Sequence, residues 1–321
     1  MHLPTVLITG ASGFLGGTIA SVLSQRGFPL CLCGSKLSES LAGGQAKVFR
    51  ERLPSRKIQE FVAATQPDWV VHCAGPARVA ASFKDPPADF LNSVTATDCL
   101  YQAIERHAPN AKVLFMSSAA VYGQPYQLPI TQETPPEPIS PYGEHKLQCE
   151  RLGNDLRARS SSRIEVSNWR IFSAYGPRLQ KQVLWDIFRK SLAGDEVVLD
   201  GTGHETRDLI YSLDIAKVVL QVITSGQISP EIMNIGSGRA VSIATLAKLF
   251  LESLDYPGSF RFSGIRHQGV PQQWSVDAGD CRQLCGGQMI SLENGIASYA
   301  QWLKREFGGS QYANRVLADT G

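Results

Sequence analysis

The chain has 321 residues, of which 43% are hydrophobic and 19% are charged, a composition typical of a folded globular protein and not of a disordered one. Its 31 Lys and Arg against 29 Asp and Glu leave a formal charge of +2, so charge gives no basis for nucleic acid or an anionic membrane as the main partner. No run of 18 apolar residues occurs and the seven cysteines are scattered, so we expect a reduced, cytoplasmic protein without a transmembrane helix.

Short apolar runs alternate with helical patterns over the first 172 residues. Strands are predicted at Val6–Thr9, Leu30–Cys33, Trp69–His72, Lys112–Met116 and Ile164–Ile171, and helices at Gly16–Gly27, Ile58–Thr65, Pro87–Ala108 and Tyr142–Arg159. This repetition predicts an α/β fold, a Rossmann-type doubly wound parallel sheet with helices on both faces. Ligands of such sheets bind at the carboxyl ends of the strands.

The pattern changes after about residue 172, where glycine and proline separate shorter elements. Helices are predicted at Ser242–Ser253 and Leu292–Phe307. We expect residues 1–172 to form the first domain, with segments at roughly 205–240 returning to it. Residues 173–321 would form mainly a smaller α/β substrate-binding domain over the ligand edge of the sheet.

A glycine-rich loop lies between the first predicted strand and the first predicted helix. Its residues are Gly10, Ala11, Ser12, Gly13, Phe14, Leu15 and Gly16. The three glycines permit a tight turn, a close approach of a pyrophosphate to the backbone and close packing of helix on strand. Phosphates would then lie on the free N–H groups at the helix start. The loop therefore predicts an NAD(P)-binding site in the first domain, with a purely structural turn as the alternative.

Ser118, Tyr142 and Lys146 form the candidate catalytic group. Tyr142 and Lys146 are four residues apart, which places a phenol and an ammonium on one face of a helix. A cation one turn away stabilises the phenolate, and the lysine can also hold the nicotinamide ribose. Ser118 follows the strand at Lys112–Met116, where its hydroxyl can hold the reacting oxygen. The group fits proton transfer at a sugar hydroxyl, coupled to hydride transfer at the same carbon.

These motifs resemble those of the extended short-chain dehydrogenases/reductases, and more narrowly the NAD-dependent epimerase/dehydratase family that acts on nucleotide sugars. Further similar segments are His72–Gly75, Trp169–Arg178, Gly201–Gly203 with Arg207 and Asp208, and Asn234–Gly238. The resemblance implies that Ala74, Gly75 and Asn92 contact the cofactor. It also implies that Ser173 contacts the substrate beside Ser118, and that Arg207 and Arg266 hold its pyrophosphate. Tyr122 either contacts the substrate or supports the residues that do. His72 as a packed structural residue and Arg207–Asp208 as a structural pair stay open.

Two departures from the family pattern bear on the reaction. Gly34, Ser35 and Lys36 occupy the end of the second strand, where the family usually has an acidic residue that binds the adenosine ribose. Its loss favours NADP(H), with Lys36 on the 2′-phosphate and NAD(H) as the alternative, in which Lys36 is solvated and Glu39 takes the usual role. Ala119 and Ala120 stand where the 4,6-dehydratases carry an Asp-Glu pair, which argues against dehydration.

We therefore expect a nucleotide-sugar oxidoreductase, and Gly34–Lys36 favour an NADPH-dependent reductase of keto-sugar nucleotides. A 4-epimerase of nucleoside diphosphate sugars with bound NAD is the alternative, and a non-catalytic cofactor-binding scaffold is a minor one. The resemblance also implies a homodimer through the helices Pro87–Ala108 and Tyr142–Arg159. No metal site is expected, because Cys281 and Cys285 have no clustered histidine ligands.

Overall fold

The computed structural model describes residues 3–37, 46–161, 163–228 and 230–308, so Glu39 lies outside the described residues. The strands are β1 (Val6–Thr9), β2 (Leu30–Cys33), β3 (Lys47–Phe49), β4 (Trp69–His72), β5 (Lys112–Ser118), β6 (Glu165–Ile171), β7 (Ser173–Tyr175), β8 (Glu196–Leu199), β9 (Thr206–Tyr211), β10 (Ile232–Ile235), β11 (Ala240–Ser242) and β12 (Ser259–Phe262). The α-helices are α1 (Phe14–Gln25), α2 (Ile58–Thr65), α3 (Val79–Lys84), α4 (Pro86–Phe90), α5 (Ala96–His107), α6 (Pro141–Arg159), α7 (Gln182–Ala193), α8 (Ser212–Ser225), α9 (Ile243–Ser253), α10 (Gly279–Leu284) and α11 (Leu292–Phe307). No helix in these described ranges is long and apolar enough to cross a membrane.

Seven of the described strands form one parallel sheet in the order β10-β6-β5-β4-β1-β2-β3. The chain runs outward from β1 to β3 and then crosses to β4 on the other side of β1. The strand order therefore reverses between β1 and β4, and this point defines the ligand crevice of a doubly wound sheet. The predicted Rossmann-type fold is confirmed.

Helices cover both faces of this sheet, and its central strands are buried along their whole length. The residues of β1, β2 and β4 are all buried, as expected for strands with helices on either side. Helices α1 and α8 pack against one face, and α2, α5 and α6 against the other. The two faces carry separate hydrophobic cores.

A third core forms in the later part of the chain. It includes side chains of α7, α9 and α11 and of the strands β8 and β9. Two small sheets belong to this part, β11-β9-β7 and β12-β8. Because β10 joins the large sheet beside β6, the chain returns to the first core after β9 and then leaves it again.

The predicted helix Pro87–Ala108 is interrupted. The helices α4 and α5 are separated by one turn of π-helix, Leu91–Thr95. In this turn the side-chain amide of Asn92 donates to the Ala88 carbonyl at 2.6 Å, within the helical hydrogen-bond ladder. A side chain inserted into the ladder widens the turn, which periodicity alone does not predict.

Candidate active site

The glycine-rich loop closes tightly between β1, α1 and the end of β4. Gly10 has φ +66°, and a Cβ there would lie 2.8 Å from the Ala74 backbone nitrogen. A Cβ on Gly16 would lie 2.4 Å from the Gly10 carbonyl oxygen. Helix α1 begins at Phe14 after Gly13, and no side chain caps its first N–H groups. The loop is therefore a backbone cradle with free donors, which fits the pyrophosphate of a dinucleotide.

A Gly10→Ala substitution is expected to remove most of the dinucleotide that copurifies with the protein. A side chain at this left-handed position would be strained, and its Cβ would overlap the backbone after β4. Dinucleotide released on denaturation, measured per mole of protein, checks this. Gly194→Ala is the matched control, because its backbone is extended and its Cβ position is open. Full occupancy in Gly10→Ala would contradict the assignment of the cradle.

The end of β2 lies against this loop. The Gly34 N–H donates to the Phe49 carbonyl at 3.0 Å, and a Cβ on Gly34 would lie 2.8 Å from Ser12 Oγ. Glycine thus lets β2 approach Ser12 closely. Ser35 and Lys36 are exposed, and Lys36 has no hydrogen bond or ion pair with another described residue. An exposed Lys36 fits both a contact with a 2′-phosphate and a solvated side chain, so its role stays a prediction.

Ser118 and its neighbour Ser117 point to opposite sides of β5. Ser117 is buried, and its hydroxyl donates to Glu150 at 2.5 Å. Ser118 is half-buried at the carboxyl end of the strand, and its Oγ accepts from the Ala120 N–H at 3.2 Å. Of the two hydroxyls, only Ser118 faces the ligand edge of the sheet. Sequence reasoning selected the same residue.

Helix α6 starts next to this strand end. Its N-cap Ser140 accepts from the Gly143 N–H at 3.1 Å, and a Cβ on Gly143 would lie 2.5 Å from the Ala120 carbonyl oxygen. The Tyr142 N–H donates to Ser82 Oγ at 3.0 Å. These contacts fix Tyr142, which is 9% exposed, beside the segment that follows Ser118. Gly143 is a positioning residue that sequence reasoning missed, although it is adjacent to the predicted tyrosine.

Lys146 lies one helical turn after Tyr142 on α6. Its ammonium is buried, donates to the Met116 carbonyl at 3.0 Å and lies 4.9 Å from the centre of the Phe115 ring. No ion pair joins it to a carboxylate in the described part of the chain. It is therefore a fixed positive charge at the carboxyl end of β5.

The predicted cofactor contacts after β4 meet at the same place. Gly75 has φ +138°, and its Cβ position lies 3.7 Å from the Asn92 carbonyl oxygen and 3.8 Å from Lys146 Nζ. The Ala74 N–H donates to Thr9 Oγ1 at 3.2 Å. Ala74, Gly75 and Asn92 thus line the crevice between the glycine-rich loop and Lys146.

His72 is a packed structural residue. It is fully buried, with Nδ1 2.6 Å from Thr9 Oγ1 and Nε2 3.0 Å from Thr97 Oγ1. Burial, and then the charge of Lys146, lowers the pKa of His72 to about 3. A neutral imidazole therefore joins β1, β4 and α5 beneath the cofactor crevice.

This lowered pKa predicts an acid-sensitive fold. The unfolded chain takes up a proton at His72 below about pH 6.5, whereas the folded chain keeps the ring neutral until about pH 3. As the pH is lowered through this window, the free energy of unfolding should fall by up to about 1.4 kcal/mol per pH unit. Urea unfolding between pH 5 and pH 7.5 checks this, with His72→Gln expected to show a shallower slope. Equal slopes would contradict it.

Of the two roles predicted for Tyr122, its burial fits support of the site and not direct contact with the substrate. This side chain is only 1% exposed, and its hydroxyl donates to Asn234 Oδ1 at 2.7 Å and contacts the Thr131 carbonyl at 3.1 Å. The Arg170 guanidinium lies 4.7 Å from its ring centre. Tyr122 is therefore a structural residue below the site. Its position beside Ser118 in the sequence does not reveal this burial.

Of the remaining predicted substrate residues, Arg207 and Ser173 lie on the paired strands β9 and β7 of one small sheet. Arg207 on β9 lies half-buried, 5.5 Å from the Trp274 ring centre, and has no described carboxylate in ion-pair contact. The structural pair with Asp208 does not form, because Asp208 accepts from the Ser237 N–H at 2.6 Å. Ser173 is half-buried at the start of β7, and Arg266 is exposed after β12.

Trp274 is a further residue that sequence reasoning missed. Its Nε1 donates to the Gly123 carbonyl at 3.2 Å, so it connects the Arg207 side of the cleft to the segment after Tyr122. A lone tryptophan in a Pro- and Gly-rich stretch gives no signal for this role. As for metals, no group of three or more possible ligands is placed to hold an ion within the described ranges.

Comparisons with known proteins agree with this geometry. The model of the NAD dependent epimerase/dehydratase family matches residues 6–236. A putative UDP-glucose 4-epimerase of Methanocaldococcus jannaschii is 25% identical over 308 residues, which cover 93% of this chain and 98% of the relative. The UDP-glucose 4-epimerase of Bacillus subtilis is 25% identical over 342 aligned positions, which cover 96% and 99%.

Solved structures share the fold over most of the chain. A Thermotoga maritima UDP-glucose 4-epimerase with UDP-glucose has a TM-score of 0.84 at 23% identity, covering 94% of this chain and 99% of that one. MoeE5 in complex with UDP-glucuronic acid and NAD has a TM-score of 0.83 at 26% identity, with the same coverages. The family model spans more than half of the sequence and contains Ser118, Tyr142 and Lys146. This chain therefore belongs to the NAD dependent epimerase/dehydratase family and is an enzyme of the extended short-chain dehydrogenase/reductase kind.

Proposed function

We propose that this enzyme is an NAD-dependent 4-epimerase of nucleoside diphosphate sugars. The observation that carries the proposal is the placement of Tyr142 and Lys146 on one face of α6, against the strand end that bears Ser118. The relatives matched over nearly their full length are UDP-glucose 4-epimerases, which favours epimerisation over the NADPH-dependent reduction that Gly34–Lys36 suggested. MoeE5 binds NAD, which favours NAD(H) over NADP(H).

The residues of the crevice fit a bound dinucleotide. The cradle from Gly10 to Gly16 would hold its pyrophosphate, because no side chain caps the N–H groups at the start of α1. Lys146 would hold the nicotinamide ribose, beside Gly75 and Asn92. The chemistry that NAD supplies when bound is reversible hydride transfer at a sugar carbon.

The side chains of the protein handle the proton and the orientation of the sugar. Tyr142 would take the proton of the sugar hydroxyl at the reacting carbon and later return it to the same oxygen. Ser118 donates a hydrogen bond to the reacting oxygen. Ala119 and Ala120 offer no acid or base, so elimination of water is not supported.

The test is an assay with UDP-glucose and no added cofactor. We expect UDP-galactose to form, and tightly held NAD to be released when the protein is denatured. Consumption of a keto-sugar nucleotide that depends on added NADPH, without formation of the epimer, would instead support the reductase.

We further propose that two copies of the chain pair through the π-helical turn after α4 and through α6. Phe90 is 40% exposed and Leu91 is 49% exposed, and the Phe90 ring lies edge-on to His145 of α6 at 5.4 Å. Two consecutive exposed apolar side chains beside α6 favour a second copy as the partner. Light scattering at micromolar concentration should give twice the mass of one chain, and a monomeric mass would contradict this.

A further inference from the structure

Three basic side chains, Arg78, Lys146 and Lys181, lie close enough for the charges of the first two to act on the third. Arg78 stands directly before α3, and its Nη2 donates to the Gln180 carbonyl at 3.5 Å, which holds the segment with Lys181 beside it. Lys146 lies near the Gly75 turn that leads to Arg78. In the described part of the chain none of the three forms an ion pair with a carboxylate.

The position of Lys181 is electrostatically unfavourable in the free protein. Its side chain is half-buried, and burial followed by the charges of Arg78 and Lys146 lowers its pKa to about 8. A cation shielded from water and close to like charges costs free energy, which a bound anion would offset. Such groups in a cleft are typical of functional sites.

This cluster is distinct from the predicted diphosphate site. Arg207 lies on β9 with its guanidinium 5.5 Å from the Trp274 ring centre, and burial lowers its pKa. The cations therefore fall into two groups, one at Arg207 and one beside the Tyr142–Lys146 helix. A substrate that pairs with both groups of cations carries a second anion close to its reacting carbon, in addition to its diphosphate.

We propose that Arg78 and Lys181 bind a carboxylate on the hexose, so that the substrate is a nucleoside diphosphate uronic acid. The proposal rests on the proposed epimerase function. A guanidinium pairs with both carboxylate oxygens, and a lysine adds a point charge. A sugar carboxylate adjoins the ring carbons that face Tyr142, whereas the diphosphate lies at the far end of the hexose.

The experiment measures kcat/KM for UDP-glucuronic acid and UDP-glucose with the full chain and its copurified cofactor. Wild type should prefer the uronic acid. Arg78→Ala with Lys181→Met should lose about 10–100-fold for the uronic acid, mainly through KM, and under threefold for UDP-glucose. Lys84→Met, an exposed lysine at the end of α3, is the matched control and should change neither value.

Two results would overturn the proposal: a wild-type preference for UDP-glucose, or equal losses for both sugars with less copurified dinucleotide. Equal losses would assign the cations to a phosphate of the dinucleotide or the substrate. Calorimetric titration of wild type with UDP-glucuronic acid and with UDP-glucose measures the binding of each sugar nucleotide independently of catalysis. Tighter binding of the uronic acid without epimerisation would support the anion site and contradict the proposed function.

Discussion

A Tyr142→Phe variant is expected to lose turnover by a factor of about 10²–10⁴ while it keeps its dinucleotide. The substitution removes the proton-transfer group and nothing else. The backbone contact between Tyr142 and Ser82 stays, and the ring of phenylalanine fills the same largely buried space. The cradle that would hold the dinucleotide pyrophosphate belongs to the Gly10–Gly16 loop, so its occupancy should not change.

The measurement pairs the epimerase assay with the dinucleotide content of the same preparation. Tyr126→Phe is the matched control, because its ring is 91% exposed and its hydroxyl has no described partner, and its turnover should equal that of wild type. Turnover within threefold of wild type in Tyr142→Phe would remove Tyr142 from the mechanism. Loss of the dinucleotide in that variant would instead give the tyrosine a role in binding.

The sheet could be predicted because strands that are buried on both faces have mostly apolar sequences. The runs at β1, β2 and β4 are mostly apolar and fully buried, and β1 and β4 are each followed by a helix, as in a parallel sheet. Strand β3 was missed, since Lys47–Phe49 is three residues long and partly exposed. The small sheets were missed for the same reason, because strands such as β7 and β11 are too short for alternation to appear.

Some features of the site could likewise be predicted from the sequence, and others could not. The Gly10–Gly16 loop and the Tyr142–Lys146 spacing could be recognised, because each lies within a segment of a few residues. Contacts across the cleft join residues that are far apart in the sequence. The stacking of Trp274 on Arg207 and the approach of Arg78 to Gln180 therefore could not be predicted. The expectation of NADP(H) rested on Lys36, whose exposed side chain has no described partner and so does not identify the cofactor.

The second large effect is expected from a buried ion pair that supports this site. Glu150 and Arg170 are 3% and 2% exposed, and Arg170 Nη2 donates to Glu150 Oε2 at 2.7 Å. Ser117 Oγ donates to the other carboxylate oxygen at 2.5 Å. The pair therefore joins α6, one turn beyond Lys146, to β6 and to the residue before Ser118.

Glu150→Ala should lower the free energy of unfolding by about 3–5 kcal/mol, because it leaves the Arg170 charge buried and unpaired. Urea unfolding followed by tryptophan fluorescence measures this, and Glu196→Ala is the matched control. Glu196 pairs with Arg261 at 3.0 Å, but both side chains are about half exposed, so its loss should cost no more than about 1 kcal/mol.

The double variant Glu150→Leu with Arg170→Met distinguishes an unpaired charge from lost packing. Removal of both charges should recover most of the stability, because no buried ion is left without a partner. A double variant as unstable as Glu150→Ala would show that packing of the two side chains, and not their charges, stabilises this region. In either case the structural effect reaches Ser118 and Lys146 only through β5 and α6, so kcat should fall less than in Tyr142→Phe.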